Sequence, residues 1–451
     1  MFESLRLLGP AARRFLYFSF FNTMSWQLLV GSVLVLHARA LDIPAGSVGL
    51  IVSIMPFTLV LSLVVSPWVD RIGPRRMMTA GWTARNLMAF PLVFTPWIYA
   101  AWGSHAAGVA LFGGVLCFCI MRSLTCAGWF PWLHEIIPET ERGRYFSIEM
   151  LLVQLVNVTI GVGTYFFFSG HPALWKFGAL SAVGIASGLF SIGIMRRIPG
   201  GGPRLSLRQR NAWVELRLVL RDRAFVSYNF WTSLGFFVTV GQNTLLVLTL
   251  RDFLHVTPAL IMLTTAVGAT TAMAAGPWWG RLADRHGTGP VQVISGTAMA
   301  LALAGFAFLR EGTPMGFVIP VYATCVVSYS GFFVAANRGM LQRMRPSLRA
   351  GYSAVWLSAT SIAMGSSSVL IGFVIQQLGP LGYGYWGLCL AYSALIALAV
   401  LRYSTLHVEN VELAAELRSQ FDPGRPFVSM MRTCRYLLDP PEAEETPTPP
   451  P

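Results

Sequence analysis

The sequence predicts an all-α membrane protein whose 12 transmembrane helices form two pseudo-symmetric bundles of six. Three observations predict it: a composition too apolar for a water-soluble chain, a series of apolar runs of bilayer length, and a motif near residue 70 that recurs near residue 284. Of 451 residues, 54% are hydrophobic and 12% charged; soluble domains use about 45–50% and about 25%. The formal charge is +13, but the basic residues are scattered among apolar runs, so no nucleic-acid partner is expected. Lys176 is the only lysine. Without a GxxxxGK[ST] phosphate loop the chain cannot cradle ATP, and any work must draw on a gradient or another subunit.

Each span rests on its own run, since a helix needs about 20 apolar residues to cross a bilayer. The runs cover 15–38, 46–69, 77–98, 108–131, 145–169, 174–195, 225–250, 258–280, 290–309, 315–336, 352–376 and 382–402. The first is too long for a secretory signal core, and no small-residue cleavage site follows it. Most connections are short, as antiparallel neighbours require. The long one, 196–224, carries Pro199-Gly200-Gly201-Gly202-Pro203 and separates six spans from six. The expected units are a first bundle over 1–195, a linker over 196–224, a second bundle over 225–402 and a tail over 403–451. Within the linker, 204–223 mixes arginines with Leu205, Trp213 and Leu220, the pattern of an amphipathic helix on the inner leaflet. The acidic, proline-rich end of the tail cannot bury a core and is expected to be disordered.

Arginine placement sets the expected orientation. Connections after spans two, four, six, eight and ten hold 19 Lys/Arg residues, whereas the opposite end holds Arg39, Lys176, Arg251 and Arg310. Short basic loops stay cytoplasmic, so both termini are expected on the cytoplasmic side of the inner membrane.

The repeat is detailed. Ser66-Pro-Trp-Val-Asp70-Arg71-Ile-Gly73-Pro74-Arg75-Arg76 matches Gly280-Arg-Leu-Ala-Asp284-Arg285-His-Gly287 at an offset of 214, which Pro44 and Pro258 share. Phe15, Phe20 and Gly31 match Phe225, Phe230 and Gly241 at 210; Arg142 and Tyr145 match Arg349 and Tyr352 at 207. On these residues the chain resembles the major facilitator superfamily, whose signature between spans two and three is G-x-x-x-[DN]-[RK]-x-G-[RK]-[RK]. Ser66 replaces the first glycine and Pro74 stands at a usual arginine position, while Asp70, Arg71, Gly73 and Arg75 match. The resemblance covers approximately residues 10–402 and implies two six-helix halves that rock about a site near the midplane.

A gate latch follows for Asp70, Arg71, Gly73, Arg75 and Arg142, and for Gly280, Asp284, Arg285, Gly287 and Arg349. A carboxylate at a helix end accepts hydrogen bonds from arginines or a helix N-terminus and clamps the halves on one side. The arginines alone would serve topology, but the carboxylate recurs at Asp284, which topology does not require. Gly73 permits the tight turn into span three.

Ionisable residues inside a membrane are costly and point to function. Arg85 in span three and Arg122 in span four each lie about 12–14 Å deep at 1.5 Å per residue. The family often carries an arginine in span four, and Arg122 resembles it, although Cys126 stands where that motif has glycine. Glu149 is the one acidic residue inside a span; it faces away from Gln154 and Asn157 and is expected to pair with a loop arginine, which disfavours a mid-cavity proton relay. Polar stripes run along span one (Ser19, Asn22, Thr23, Trp26, Gln27), span five (Gln154, Asn157, Gly161, Thr164) and span seven (Asn229, Thr232, Ser233, Thr239, Asn243). The family usually lines its pathway with spans one, four, seven and ten. The expected cavity residues are therefore Arg122, Arg85, Asn22, Trp26, Gln27, Gln154, Asn157, Asn229, Ser233 and Asn243; the alternative for the stripes is polar glue between helices.

Cys117, Cys119, Cys126, Cys325, Cys389 and Cys434 form no CxxC pair, and no HExxH or GxSxG run is present. No metal, no cofactor and no enzymatic site is expected. The resemblance implies a secondary transporter working by alternating access, monomeric and surrounded by lipid. Two internal arginines without acidic partners in sequence favour a small or amphiphilic organic anion as substrate. A transport-inactive sensor or scaffold, and a lipid flippase of the same fold, are the alternatives.

Overall fold

Bilayer-length apolar runs leave the backbone one solution, the helix, in which each N–H finds a carbonyl within its own segment. The computed structural model describes residues 8–137, 139–169, 173–203, 217–343, 349–379 and 382–403, and the elements among them are helical. Most of the expected linker helix and the tail beyond Tyr403 lie outside the described residues.

Ten helices are long and apolar enough to cross a membrane. One of these apolar stretches, Pro74–Cys126, is 53 residues long, far more than the roughly 30 Å hydrocarbon core requires at 1.5 Å per residue. It turns back at Gly103 (φ 78°, ψ −177°). Gly114 lies against Leu92 and Gly81 against Thr125, pairs symmetric about residue 103, so spans three and four form an antiparallel hairpin. The sequence suggests a loop over 99–107, but one left-handed glycine reverses the chain with almost no loop. Span two is broken, as Ala45–Leu59 and Leu61–Ile72. With that hairpin and the broken span, the helices accommodate twelve passes.

Span one is also broken. Gly31 is extended (φ −82°, ψ −154°) between Pro10–Val30 and Ser32–Ala40. In the second half, span seven runs unbroken over Arg223–Leu248 and ends in a π-turn at Thr249–Phe253. Spans five and six are Glu139–Phe168 and Trp175–Met195; spans eight to twelve are Pro258–His286, Thr288–Ala307, Met315–Arg343, Arg349–Leu378 and Tyr383–Tyr403.

Packing repeats as the motif does. Span one lies against five and six, two against four, and three against four and six. In the second half, seven lies against eleven and twelve, eight against ten, and nine against ten and twelve. Each neighbour pair has its image, and so do the two seams between halves, two against eleven and five against eight. Small residues let these seams close: a Cβ on Gly49 would stand 2.9 Å from the Gly372 Cα, and one on Gly161 2.5 Å from the Ala266 Cβ.

Within the first half, Gly188 of span six meets spans one and three. A Cβ there would stand 2.1 Å from Asn86 Oδ1 and 2.7 Å from Ser25 Oγ. Both side chains are buried and bonded to each other at 3.2 Å, so neither can yield freely. Gly188→Val is therefore expected to destabilise the first half by about 1–3 kcal/mol, read as a lower unfolding temperature of the detergent-purified protein.

Candidate functional site

The centre of the first half is built around Arg85. Its Nη2 donates to Asn22 Oδ1 at 2.9 Å, and the same oxygen accepts from Trp82 Nε1 at 2.8 Å. The guanidinium carbon lies 5.1 Å from the Trp82 ring centre and 4.7 Å from that of Phe118, contacts worth about 0.5–2 kcal/mol each. Nε and Nη1 have no partner, and the side chain is 0% exposed. The sequence places Arg85 on the cavity wall; the structure sets it in the core of the first half, where a solute meets it only if the helices repack. Asn22 aims its oxygen into that core rather than into open space.

Arg122 differs. It is half-buried, and among the described residues its guanidinium makes no hydrogen bond or ion pair. It is near enough for its charge to act on Arg85.

Other expected cavity residues fall in separate places. Trp26 and Gln27 are half-buried, and the Gln27 carbonyl accepts the Gly31 N–H at 3.2 Å, so the polar stripe of span one ends at its break. Gln154 Oε1 accepts from Asn157 Nδ2 at 3.0 Å, both half-buried. Asn229 and Ser233, one turn apart on span seven, are buried, with Asn229 Oδ1 and Ser233 Oγ unpartnered; Asn243 is exposed. Glu149 departs from the expected loop-arginine pairing. Its Oε1 accepts from Ser19 Oγ at 2.7 Å. The hydroxyl of span one faces it, which the rotation of span five alone does not reveal.

For the gate, call the side carrying residues 196–203 the linker face and the opposite side the far face. Gly73 (φ 88°) and Gly287 (φ 81°) cap equivalent helices in the two halves, as the repeat requires. Gly280 is half-buried with open space where a Cβ would stand. The side chains of Asp70, Arg142, Asp284, Arg285 and Arg349 lie outside the described residues, and Arg71 is exposed. Arg75 bonds the linker: its N–H donates to Gly201 O at 3.0 Å and its guanidinium to Arg196 O.

The hydrogen bonds that join the two halves among the described residues all lie at the far face. Arg39 Nε donates to Asp252 Oδ2 at 2.9 Å, Arg251 Nη1 to Leu36 O at 3.4 Å, and the Gly46 N–H to Gln376 Oε1 at 3.0 Å. Hollows of about 670 and about 740 Å³ flank the Arg39–Asp252 pair, and both residues line each of them. The pair thus partitions the far-face mouth. In the sequence Arg39 and Arg251 bear on topology only, although they end spans one and seven, which the repeat equates.

A sequence model of the family described as Major Facilitator Superfamily matches residues 15–368. Among solved structures, a variant of the nucleoside transporter NupG superposes with a TM-score of 0.67 at 12% identity, covering 88% of this chain and 99% of that one. A POT family transporter in complex with a thioalcohol-conjugated peptide gives 0.66 at 14%, covering 87% and 95%. A D-xylose-proton symporter gives 0.63 at 14%, covering 87% and 96%. At these identities the likeness is one of fold. No curated protein matches the sequence.

Since Asn22 supplies the one hydrogen-bond acceptor for two buried donors, Asn22→Ala leaves a cation and an indole N–H without it. It is expected to destabilise the first half by about 1.5–3 kcal/mol. Thermal unfolding, compared with the same substitution at exposed Asn243, measures it.

Proposed function

The chain belongs to the Major Facilitator Superfamily, and on that premise we propose that it is a secondary transporter that moves a small or amphiphilic organic anion by alternating access. The observation that carries the anion is Arg122. A guanidinium half-buried in a membrane span, without a hydrogen bond or ion pair among the described residues, is costly unless an anion visits it. Its charge also acts on Arg85 in the core, so a single negative charge beside Arg122 offsets a cost of bringing two cations together in the membrane.

The roles follow from position. Arg122 touches the solute's anionic group. Arg85, held by Asn22, Trp82 and Phe118, positions the wall behind it. Asn229 and Ser233 offer unpartnered oxygens to the polar remainder of the solute, with Trp26, Gln27, Gln154 and Asn157 lining the way. The arginine bias makes the linker face cytoplasmic, in the inner membrane, with both termini inside. The far face is joined by three cross-half bonds among the described residues, and on this reading it is the closed side of the cycle.

Two outcomes are expected. Arg122→Gln should reduce transport of anionic solutes by about 10- to 100-fold, the worth of a charge-assisted hydrogen bond, in vesicles screened with organic anions and their neutral analogues. An equal loss for neutral analogues would refute the anion reading. For the far-face pair, Arg39→Asp or Asp252→Arg alone should raise the labelling of cysteines placed in the flanking hollows. The double exchange should restore the parent rate, since it rebuilds the pair with reversed polarity.

A further inference from the structure

The linker leaves span six at Arg196 and runs back across the first half before Pro203. Four hydrogen bonds hold it there. Arg14 Nη1 donates to Arg197 O at 2.9 Å, Trp132 Nε1 to Pro199 O at 3.0 Å, the Arg75 N–H to Gly201 O at 3.0 Å, and the Arg75 guanidinium to Arg196 O. The steric fit is as close. Gly73 and Gly201 have φ of 88° and 71°. A Cβ on Gly73 would stand 2.9 Å from Pro203 N, and one on Gly201 would stand 2.8 Å from both Arg75 Cβ and Trp132 Nε1. The signature turn and the linker thus cross backbone to backbone, at glycines that no other residue replaces without strain.

Arg75 belongs to the turn that the family resemblance assigns to a latch between halves. Here both its N–H and its guanidinium are taken by the linker, while the halves are joined at the far face. The chain that is tied at Arg75 leads on to Arg223 at the start of span seven, so the tie lies on the one covalent connection between the halves.

We propose that residues 196–203 are a strap that controls the conformational equilibrium. Docked, it occupies Arg75 and favours the state open at the linker face. Released, it frees Arg75 and shifts the halves toward the state open at the far face. The pivot of the linker then lies beyond Pro203, and the linker is part of the switch rather than a passive tether. The proposal rests on the alternating-access reading but not on the nature of the solute.

Two readouts on the full chain in lipid nanodiscs test it. Release of the strap is read as trypsin cleavage after Arg197, beside Ile198, which is 0% exposed when docked. Opening of the far face is read as maleimide labelling of Ile375→Cys, since Ile375 lines the larger hollow and is 2% exposed. In Gly201→Val both rates are expected to rise, the labelling by about threefold to tenfold, the shift that one lost hydrogen bond gives an equilibrium. Trp132→Phe keeps the ring packed on Phe15 and removes only the bond to Pro199. It should raise both rates less, and it decides the question if Gly201→Val does not fold. Cleavage unchanged in the folded variants overturns the strap. Faster cleavage with unchanged or slower labelling overturns its control of the equilibrium. Neither result bears on Arg122 and the anion, and a loss of anion selectivity leaves the strap untouched.

Discussion

Water is absent from the core of a bilayer, so each polar group carried into it must find its partner inside the bundle. Most of this chain obeys. Buried hydroxyls bond back to their own helices: Thr58 to Ile54 O, Thr232 to Tyr228 O and Thr360 to Trp356 O, each at 2.8 Å. Against that background the exceptions carry information. Arg85 keeps two unpartnered nitrogens, and Asn229 and Ser233 each keep an unpartnered oxygen. Such groups are costly in an apolar medium and call for an explanation beyond packing.

The exceptions divide between the halves. The first half contributes cations, Arg85 and Arg122; the second contributes neutral oxygens, four on span seven and Ser361 Oγ on span eleven. Under the proposed anion transport this is a division of labour, with charge recognised on one wall and hydrogen-bonding shape on the other. On that proposal neither half alone would be a site. The rocking that the fold implies moves charge and neutral groups relative to each other, and that is how such a site changes affinity as it changes access.

The two-fold arrangement is close in packing and broken in charge. Both seams between halves have their images, yet the far-face ion pair does not. Arg39 and Arg251 end equivalent spans, but Asp252 follows Arg251 where Ala40 follows Arg39. One carboxylate therefore serves the junction, with side-chain exposure of 25% for Arg39 and 10% for Asp252. Screening by water is partial there, so the pair is worth more than an exposed one yet remains breakable. A latch that must open in each cycle suits that middle range.

The all-helical membrane class and the repeat were legible because they depend on quantities local in the chain: run length, hydropathy and spacing. Arg85 and Arg122 were legible as unusual, since charge inside an apolar run is visible without coordinates. Their roles were not. Arg85 turns into the core because Asn22, Trp82 and Phe118 from neighbouring spans surround it, and helix periodicity alone cannot choose which neighbour fills a face. Glu149 met Ser19 rather than a loop arginine for the same reason. Arg75 met the linker, a segment whose sequence signal was only its glycines and prolines. By itself, then, the sequence determined a doubled membrane bundle with two internal cations. Tertiary structure alone decided which polar groups meet, where the far face is joined, and where the linker is tied, because those depend on the rotation and contact of helices far apart in the chain.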